Sequence, residues 1–172
     1  MRPAWIIEEA KPGDAPGIVA VQKEGWMMTY PDPAVGITVE DIAAVDFDSP
    51  KKLASWEDTI KNHGESKHML VARQGLTIIG FCVGEKKDAM NEIRAIYVLQ
   101  KFHGKNISKA LMDAALAWLG TEKDICVLVF AHNKRAIEFY RKCGFVESGK
   151  TGLHPINGKP IPNVEMVRKA NS

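Results

Sequence analysis

The sequence predicts an α/β domain, residues 1–172, with a mixed, largely antiparallel central sheet flanked by helices. Apolar residues recur at helical spacing in much of the segment 14–62, whereas β-rich runs and helices alternate from residue 67 onward. A chain of 172 residues can bury a core of its own, and no linker or internal repeat divides it. We therefore expect one domain rather than two.

The N-terminal part of the chain predicts one strand followed by three helices. WIIEEA, residues 5–10, has the composition of a strand. Each helix that follows is preceded by a residue whose side chain can accept a hydrogen bond from a free backbone amide. The candidate caps are Asp14 for the first helix and Ser49 for the third, and Thr38 and Glu40–Asp41 lie near the N-terminus of the second. The helices are expected to end near residues 30, 45 and 62.

Strands dominate the chain from residue 67. KHMLVARQGLTIIGFCVGEK, residues 67–86, predicts a β-hairpin with its turn at Gln74-Gly75. Amphipathic spacing and a terminal glycine make residues 103–120 the clearest helix of the chain. The other expected elements are strands at 91–99 and 124–131, a helix at 133–145, and a closing hairpin whose two strands are separated by residues 153–160.

The composition argues against several functional classes. A net charge of +2, with 45% hydrophobic and 26% charged residues, is typical of a globular protein that needs no nucleic-acid or membrane partner. The N-terminus lacks a sustained apolar segment, so we expect no secretory signal. The three cysteines are odd in number and far apart, which predicts reduced thiols and a cytoplasmic location. No CxxC or HExxH spacing occurs, so no metal is expected.

Residues 99–109 connect a strand to a helix and have features of a phosphate-binding loop. The first amides of a helix have no partner within the helix, and the helix dipole makes them attractive to an anion. Gly104 leaves room for a ligand near the backbone, and Ser108 could donate its hydroxyl. Lys105 and Lys109 could add positive charge. The alternative is an ordinary helix start with exposed lysines.

The helix predicted at 133–145 carries a polar, a small and a phenolic side chain on one stripe. Asn133, Ala136 and Tyr140 are spaced at i, i+3 and i+7. Such a stripe suits a ligand that runs along the helix. Taken alone, however, the pattern is better explained by a capping asparagine and a tyrosine packed in the core.

Together, the two segments resemble the acetyl-CoA-binding motifs of the GNAT superfamily of N-acetyltransferases. IRAIYVLQKFHGKNISKALM, residues 93–112, is similar to the superfamily's strand, pyrophosphate loop and helix. HNKRAIEFYRKCGF, residues 132–145, matches the pattern N-x-x-A-x-x-F-Y-x-x-x-G-F at every named position. In the loop, His103 replaces Gln or Arg, and Asn106 and Ser108 replace glycines. The resemblance implies the GNAT-like acyl-CoA N-acyltransferase fold with an altered pyrophosphate loop.

The resemblance also implies acetyl-CoA as cosubstrate and direct transfer of its acetyl group to an amine. A backbone N–H in the Val98–Leu99 region would polarise the thioester carbonyl, and Tyr140 would protonate the departing thiolate. Glu92 is the preferred candidate for the general base, with a solvated strand-end charge as the equal alternative, and His132 is a weaker candidate. The residues implied to bind acetyl-CoA are Tyr97, Val98, Leu99, His103, Gly104, Lys105, Asn106, Ile107, Ser108, Lys109, Asn133, Ala136 and Tyr140.

The acceptor amine is less well determined. The pattern W-x-x-x-Y followed by GITVEDI, within residues 25–42, is similar to that of bacterial spermidine/spermine-type acetyltransferases. Trp26 and Tyr30 are therefore the candidate substrate-binding residues, and nearby carboxylates would suit a cationic small molecule such as a polyamine. Those carboxylates are Asp32, Glu40 and Asp41. The favoured alternative is that both rings belong to the core and that the acids begin a helix. Aminoglycoside-like amines and amino acids also remain open.

Two other functions remain open from the sequence. The enzyme could acetylate a protein N-terminus or lysine, provided that the closing hairpin leaves a groove for a peptide. The domain could instead bind CoA as a non-catalytic sensor, which would explain the altered loop but not the retained Tyr140. In either case, the edge strands could support a homodimer.

Overall fold

The order of elements along the chain agrees with the predicted order. The computed structural model describes residues 4–62 and 64–171. Its strands are β1 (Ile6–Glu9), β2 (Lys67–Gln74), β3 (Thr77–Glu85), β4 (Asn91–Val98), β5 (Ile125–Phe130), β6 (Val146–Ile156) and β7 (Lys159–Arg168). Its α-helices are α1 (Ala15–Thr29), α2 (Val39–Ala43), α3 (Pro50–Lys61), α4 (Ile107–Leu119) and α5 (Lys134–Lys142). Short 3-10 turns lie at Pro33–Val35 and Gln100–Phe102.

The strands form one seven-stranded sheet in the order β1-β2-β3-β4-β5-β7-β6. Neighbouring strands are antiparallel except β4 and β5, which run parallel, so the predicted mixed, largely antiparallel sheet is confirmed. Within the described residues, β4 and β5 pair only at Asn91 with Ile125 and at Glu92 with Cys126. Beyond Glu92 the two strands diverge, and this opening in the sheet is called the split below.

The helices cover the two faces of the sheet with separate apolar clusters. On one face, Leu111 and Met112 of α4 pack in the same cluster as Cys82 of β3. On the other face, Ile18 of α1 shares a cluster with Phe81. Successive side chains of a strand point to opposite faces, which is why Phe81 and Cys82 serve different clusters. Each large apolar side chain buried in this way contributes about 1.5–3 kcal/mol.

The predicted cap at Ser49 is confirmed, and Thr38, which the sequence places near the start of the second helix, also caps its helix. The hydroxyls of Thr38 and Ser49 each accept a hydrogen bond from the amide three residues later, at 3.1 and 3.3 Å. The prediction for Asp14 was wrong, because its carboxylate accepts from Arg73 on β2 at 2.8 Å and makes no cap bond. Instead, Glu57 of α3 accepts from the first amide of α1 at 3.2 Å.

Two predicted turns are shifted because strand pairing extends further than local composition suggests. The β2–β3 turn lies at Gly75–Leu76 rather than at Gln74-Gly75. In the closing hairpin, β6 runs through the first half of the predicted loop and β7 begins at Lys159, so the turn consists of Asn157–Gly158 alone. Pro155 faces Pro160 across this ladder, so the two prolines do not interrupt it.

Helix α4 begins at Ile107 rather than at residue 103, because the residues before it adopt left-handed backbone conformations. Gly104 has φ +78° and Asn106 has φ +61°. Asparagine adopts this region with less strain than most residues other than glycine. Asn106 therefore keeps a backbone path that glycine would take easily, and its side chain does not cap the helix.

The three cysteines are free thiols. Burial raises the pKa of Cys82 to about 12 and contributes most to raising that of Cys126 to about 11, so both are protonated at neutral pH. Within residues 4–62 and 64–171, no helix is long and apolar enough to cross a membrane. The same residues contain no cluster of three or more His, Cys, Asp or Glu side chains that could hold a metal ion.

An aromatic cluster holds the C-terminal end of α1 against β4. The Tyr97 hydroxyl accepts from Trp26 Nε1 at 2.9 Å and lies 2.9 Å from the Tyr30 hydroxyl. The rings of Trp26 and Tyr30 meet edge to face with centroids 5.1 Å apart. A Cβ at Gly25 would lie 2.7 Å from Cδ1 of Tyr97, closer than real Cβ contacts. The close approach of α1 to β4 therefore requires glycine at position 25.

We expect Gly25→Ala to destabilise the protein, although alanine is the better helix former. Displacing the Tyr97 ring, which carries two hydrogen bonds, should cost about 2–3 kcal/mol, while helix propensity should return about 1 kcal/mol. Urea denaturation should show a net loss of about 1–2 kcal/mol in the free energy of unfolding. Gly84→Ala is the control, because a Cβ there meets Leu119 at an ordinary 3.5 Å. An unchanged or higher stability of Gly25→Ala would contradict the packing argument.

Substitution of Asn106 should separate backbone conformation from side-chain chemistry. Asn106→Val should lose about 1–2 kcal/mol of unfolding free energy, because a β-branched residue resists positive φ. Asn106→Gly should be as stable as the wild type and serves as the matched control. Both are measured by urea denaturation, and equal stability of the valine variant would mean that the left-handed conformation is not required.

Candidate active site

The split leaves one edge of β4 without a strand partner. Successive backbone N–H groups of a strand point to opposite edges. The Leu99 amide donates to the Ile79 carbonyl on β3 at 2.9 Å, so the amides of Ile96 and Val98 face the split. The resemblance implies a backbone donor to the thioester carbonyl in the Val98–Leu99 region. The Leu99 amide is already bonded to Ile79, which leaves the Val98 amide as the candidate donor. The Ile96 amide, two residues earlier, is a second candidate.

A cavity of about 400 Å³ occupies the split. This volume is within the usual range for small-molecule sites. Its walls are β4, β5, the C-terminal part of α1, the start of α4 and one stripe of α5. The predicted site residues that line it are Trp26, Tyr30, Glu92, Tyr97, Val98, His103, Ser108, Asn133, Ala136 and Tyr140. The fold thus brings together three predicted segments that are far apart in sequence.

The start of α4 has free backbone donors. The first α4 amide bonded within the helix is that of Ala110, which donates to the Asn106 carbonyl at 3.0 Å. The amides of Ile107, Ser108 and Lys109 precede it, and no side chain of the described residues caps this end. Together with the helix dipole, these amides attract an anion. Because Ser108 also lines the cavity, this anion-binding end adjoins the split.

The remaining predicted cofactor residues are not part of the described cavity wall. Leu99 packs against the apolar core, and Ile107 is fully buried in it. The Lys105 ammonium lies over an aromatic ring at 5.0 Å, and that of Lys109 forms an ion pair within α4 at 2.5 Å. A Cβ at Gly104 would meet only open space. The two lysine side chains are thus engaged away from the described cavity wall, and Gly104 leaves the loop backbone open.

His103 fastens the loop to the end of β4. Its Nε2 lies 2.8 Å from the Val98 carbonyl oxygen. A carbonyl only accepts, so Nε2 carries the proton and donates it to this bond. The histidine thus holds the backbone of Val98 beside the split, a role that the sequence does not reveal.

Tyr140 is a buried phenol at the wall of the cavity. Asn133 caps α5 by accepting from the Ala136 amide at 3.1 Å, which fixes the stripe that leads to Tyr140. The rings of Phe139 and Phe145 lie 5.5 and 5.8 Å from the Tyr140 ring. Burial raises the pKa of Tyr140 well above its usual value, and the described residues give its hydroxyl no hydrogen bond. The site therefore holds a neutral phenol with a free proton donor.

Of the two candidates for a general base, only Glu92 lines the cavity. It stands where β4 and β5 begin to diverge, and its carboxylate forms an ion pair with Lys87. His132 lies outside the described cavity wall, and its Nε2 lies 3.3 Å from the Tyr30 carbonyl. The geometry therefore brings Glu92, but not His132, to the site.

The candidate acceptor residues line the cavity, but their polar atoms are already bonded. Trp26 and Tyr30 both bond to Tyr97, and Tyr30 is 7% exposed. Asp41 lies elsewhere: it accepts from Lys159 Nζ at 2.6 Å and joins α2 to the closing hairpin. Bonds to Lys159 and neighbouring groups lower the pKa of Asp41. None of the three predicted acids, Asp32, Glu40 and Asp41, lines the described cavity.

Sequence reasoning missed many residues of the cavity wall, among them Arg94, Phe130 and His154. Arg94 is an extra residue in β4, since the register with β3 shifts beside it. Phe130 ends β5, where its ring contacts that of Tyr30 at 4.8 Å. His154 comes from the part of β6 that the sequence predicts as a loop. Arg94 follows the alternation of NEIRAIYVL, residues 91–99, so no local signal marks it as part of the site.

Comparisons with known proteins agree with this geometry. The model of the Acetyltransferase (GNAT) family matches residues 37–145. A search of curated proteins finds no match. Among solved structures, the chain is similar to Ard1 from Thermoplasma volcanium, with 20% identity, TM-score 0.72, and 99% of this chain and 100% of that chain covered.

Two further structures have the same fold. The PaiA N-acetyltransferase from Thermoplasma acidophilum, in complex with coenzyme A, has 19% identity and a TM-score of 0.67, with 96% of this chain and 98% of that chain covered. The ribosomal-protein-S18-alanine N-acetyltransferase from Escherichia coli has 18% identity and a TM-score of 0.67, with 98% and 95% covered.

The structural likenesses establish the fold, and the family match covers more than half of the chain, including both motifs and the split. The free amides, the buried phenol and the opening in the sheet all lie within the residues that the family model matches. The chain belongs to the GNAT family of acetyltransferases.

Proposed function

We propose that the chain is an acetyl-CoA-dependent N-acetyltransferase that acetylates a primary amine of a small molecule. The observation that carries this proposal is the cavity in the split, which adjoins the anion-attracting start of α4 and is lined by the Tyr140 phenol. Acetyl-CoA supplies an acetyl group activated as a thioester, on a carrier with a pyrophosphate.

The residues present fit this cosubstrate. The free amides of Ile107, Ser108 and Lys109 would bind the pyrophosphate, and the Ser108 hydroxyl would add a donor. The open space beside Gly104 would let a phosphate approach the backbone. The stripe that begins at Asn133 would contact the rest of the carrier along α5.

Two groups of this chain would stabilise charge during transfer. The amides of Ile96 and Val98 would donate to the carbonyl oxygen as negative charge develops on it. Tyr140 would donate its proton to the departing sulfur, and its raised pKa keeps it protonated until that moment. Glu92 would accept the proton that the attacking amine must lose, directly or through a water molecule.

The acceptor is the least constrained part of the proposal. His154 and Asn163 of the closing hairpin line the cavity, and the wall that they form favours a small molecule over a protein N-terminus or lysine. A polyamine is the candidate from the sequence, supported by the rings of Trp26 and Tyr30. A non-catalytic CoA sensor would have no use for the free phenol of Tyr140.

Calorimetric titration with acetyl-CoA tests the binding site. Ser108→Asp should weaken binding at least about tenfold, because it adds a negative charge where the pyrophosphate would lie. Thr121→Asp adds the same charge just beyond the opposite end of α4 and should leave the affinity unchanged. Acetylpantetheine, which lacks the pyrophosphate, should bind more weakly to the wild type and be insensitive to Ser108→Asp. Equal affinities of both variants for acetyl-CoA would refute the assignment of this loop.

Tyr140→Phe tests catalysis apart from binding. Loss of a positioned general acid should lower kcat about 10²–10⁴-fold with little change in the Kd of acetyl-CoA. Thiol release is followed with the best acceptor from a panel of amines. In the wild type, the raised pKa of Tyr140 predicts no alkaline decline from this group below about pH 10. A wild-type protein that binds acetyl-CoA but releases no thiol with any amine would support the sensor instead.

A further inference from the structure

A second cavity, of about 560 Å³, adjoins the split. It lies among α1, α3, β4 and the end of β6. Four residues, Trp26, Arg94, Ala95 and His154, line both cavities, so the second opens toward the first. We call it the acceptor cavity, because an amine could approach the split through it while the cosubstrate lies along α4 and α5.

Basic side chains outnumber acidic ones around the acceptor cavity. Lys52, Lys67 and Arg94 line it, whereas Asp46 is the only carboxylate among its described lining residues. The Asp46 carboxylate already accepts from the amide and the hydroxyl of Ser49, at 3.0 and 2.7 Å. The Ser49 donors are neutral, so Asp46 keeps its negative charge, and the acceptor cavity holds three cationic side chains against one carboxylate.

Arg94 owes its position to a β-bulge. The register between β3 and β4 shifts between Val83 and Gly84, which leaves Arg94 as the extra residue of β4. A bulge redirects a side chain, and such bulges are frequent beside active sites. One Arg94 N–H group donates to Glu85 at 3.0 Å, and the side chain is 49% exposed. Since a guanidinium has five N–H donors, most of them remain available to a ligand.

The positive charge around Arg94 is only partly compensated. Glu85 lies 3.0 Å from Arg94 and 3.8 Å from both Lys67 and Lys87, and Lys87 also pairs with Glu92, so two carboxylates serve three cations. Lys52, on α3, forms no ion pair within residues 4–62 and 64–171. Arg94 and Lys52 are therefore the two cations of the acceptor cavity with the most capacity for an anion.

From these charges we infer that the acceptor is an amine that also carries a carboxylate, which Arg94 and Lys52 bind while the amine faces the split. The planar fork of Arg94 matches the two oxygens of a carboxylate, and the flexible Lys52 adds a second charge. The inference rests on the proposed acetyltransferase function and narrows its substrate class.

The carboxylates of the two cavities point to the same substrate class. Glu24 accepts from the Gln100 amide at 3.0 Å, and Glu92 is paired with Lys87. Glu92 is neutralised by Lys87, whereas Asp46 and Glu24 keep a negative charge because their hydrogen-bond donors are neutral. In the acceptor cavity, however, three cationic side chains face one carboxylate, so a diamine or polyamine would bring its second ammonium group into net positive charge. An amino acid would instead bring a carboxylate to these cations.

The test compares matched acceptors on the full chain with acetyl-CoA. Each member of a panel of α- and ω-amino acids is paired with its own carboxamide and with a diamine of equal length, and kcat/KM is measured by thiol release. The best amino acid should exceed its carboxamide and the diamine at least about tenfold. The amines of the α-carboxamides are less basic, so a larger fraction of them is neutral and able to attack at neutral pH. Amine basicity would therefore favour the carboxamide, and a preference for the acid would need another cause.

Variants then assign the preference to residues. Arg94→Gln and Lys52→Gln should each lower kcat/KM for the amino acid about tenfold, with little change for the carboxamide. Lys51→Gln is the matched control, since Lys51 neighbours Lys52 but lines neither described cavity. Arg94→Glu should shift the preference toward the diamine. Equal losses for acid and carboxamide would mean that Arg94 only supports the fold, and the inference would fall.

Binding measurements separate this inference from the proposed function. Protein saturated with CoA is titrated calorimetrically with the panel, and only the amino acids should bind, with weaker binding in Arg94→Gln. If carboxamides or diamines bind and react as well as the acids, the carboxylate inference fails while the acetyltransferase stands. If no amino acid binds, the inference also fails. If acetyl-CoA itself does not bind, the proposed function fails first.

Discussion

The early end of pairing between β4 and β5 is the constraint on which the site depends. A strand inside a sheet normally satisfies both edges with backbone hydrogen bonds, and unsatisfied buried groups are costly. Here β4 keeps β3 on one edge and loses β5 beyond Glu92, while β7 holds β5 in place from its other side. The amides of Ile96 and Val98 lose a strand partner in this opening. They are the same groups that are proposed to donate to the thioester carbonyl.

The surrounding elements keep this opening in a defined shape. On one side, the hydrogen bonds of Tyr97 to Trp26 and Tyr30 fasten α1 to β4, and the absence of a side chain at Gly25 permits the close contact. At the end of the opening beside Val98, His103 joins the loop before α4 to the Val98 carbonyl through a hydrogen bond. The site is thus built on rigid strands and helices, which hold catalytic groups more precisely than mobile loops do.

Charge is distributed differently on the two approaches to the split. The start of α4 attracts an anion through backbone amides and the helix dipole, with no need for the side chains of Lys105 and Lys109. The acceptor cavity uses side-chain cations, Arg94 and Lys52, whose excess is not cancelled by the acids nearby. The first arrangement suits any pyrophosphate carrier, whereas the second, under the inference above, would select among acceptors.

Local sequence by itself determined the elements of this protein and the segments that are proposed to bind its cosubstrate. Apolar periodicity, capping residues such as Ser49, and the stripe from Asn133 to Tyr140 all act within a few residues, so they can be read along the chain. The predictions were wrong where a hydrogen-bonding or strand partner is distant in the sequence. Asp14 binds Arg73 instead of capping α1, and β6 continues into a predicted loop.

Only the tertiary structure decided the acceptor side. Lys52, Arg94 and His154 come from α3, β4 and β6, and nothing near each residue in the sequence marks it as a neighbour of the others. The direction of Arg94 depends on a register shift between two strands, which is a property of pairing rather than of composition. Charges act together on a substrate only when they lie close together in the folded protein. The linear sequence does not specify which elements lie side by side.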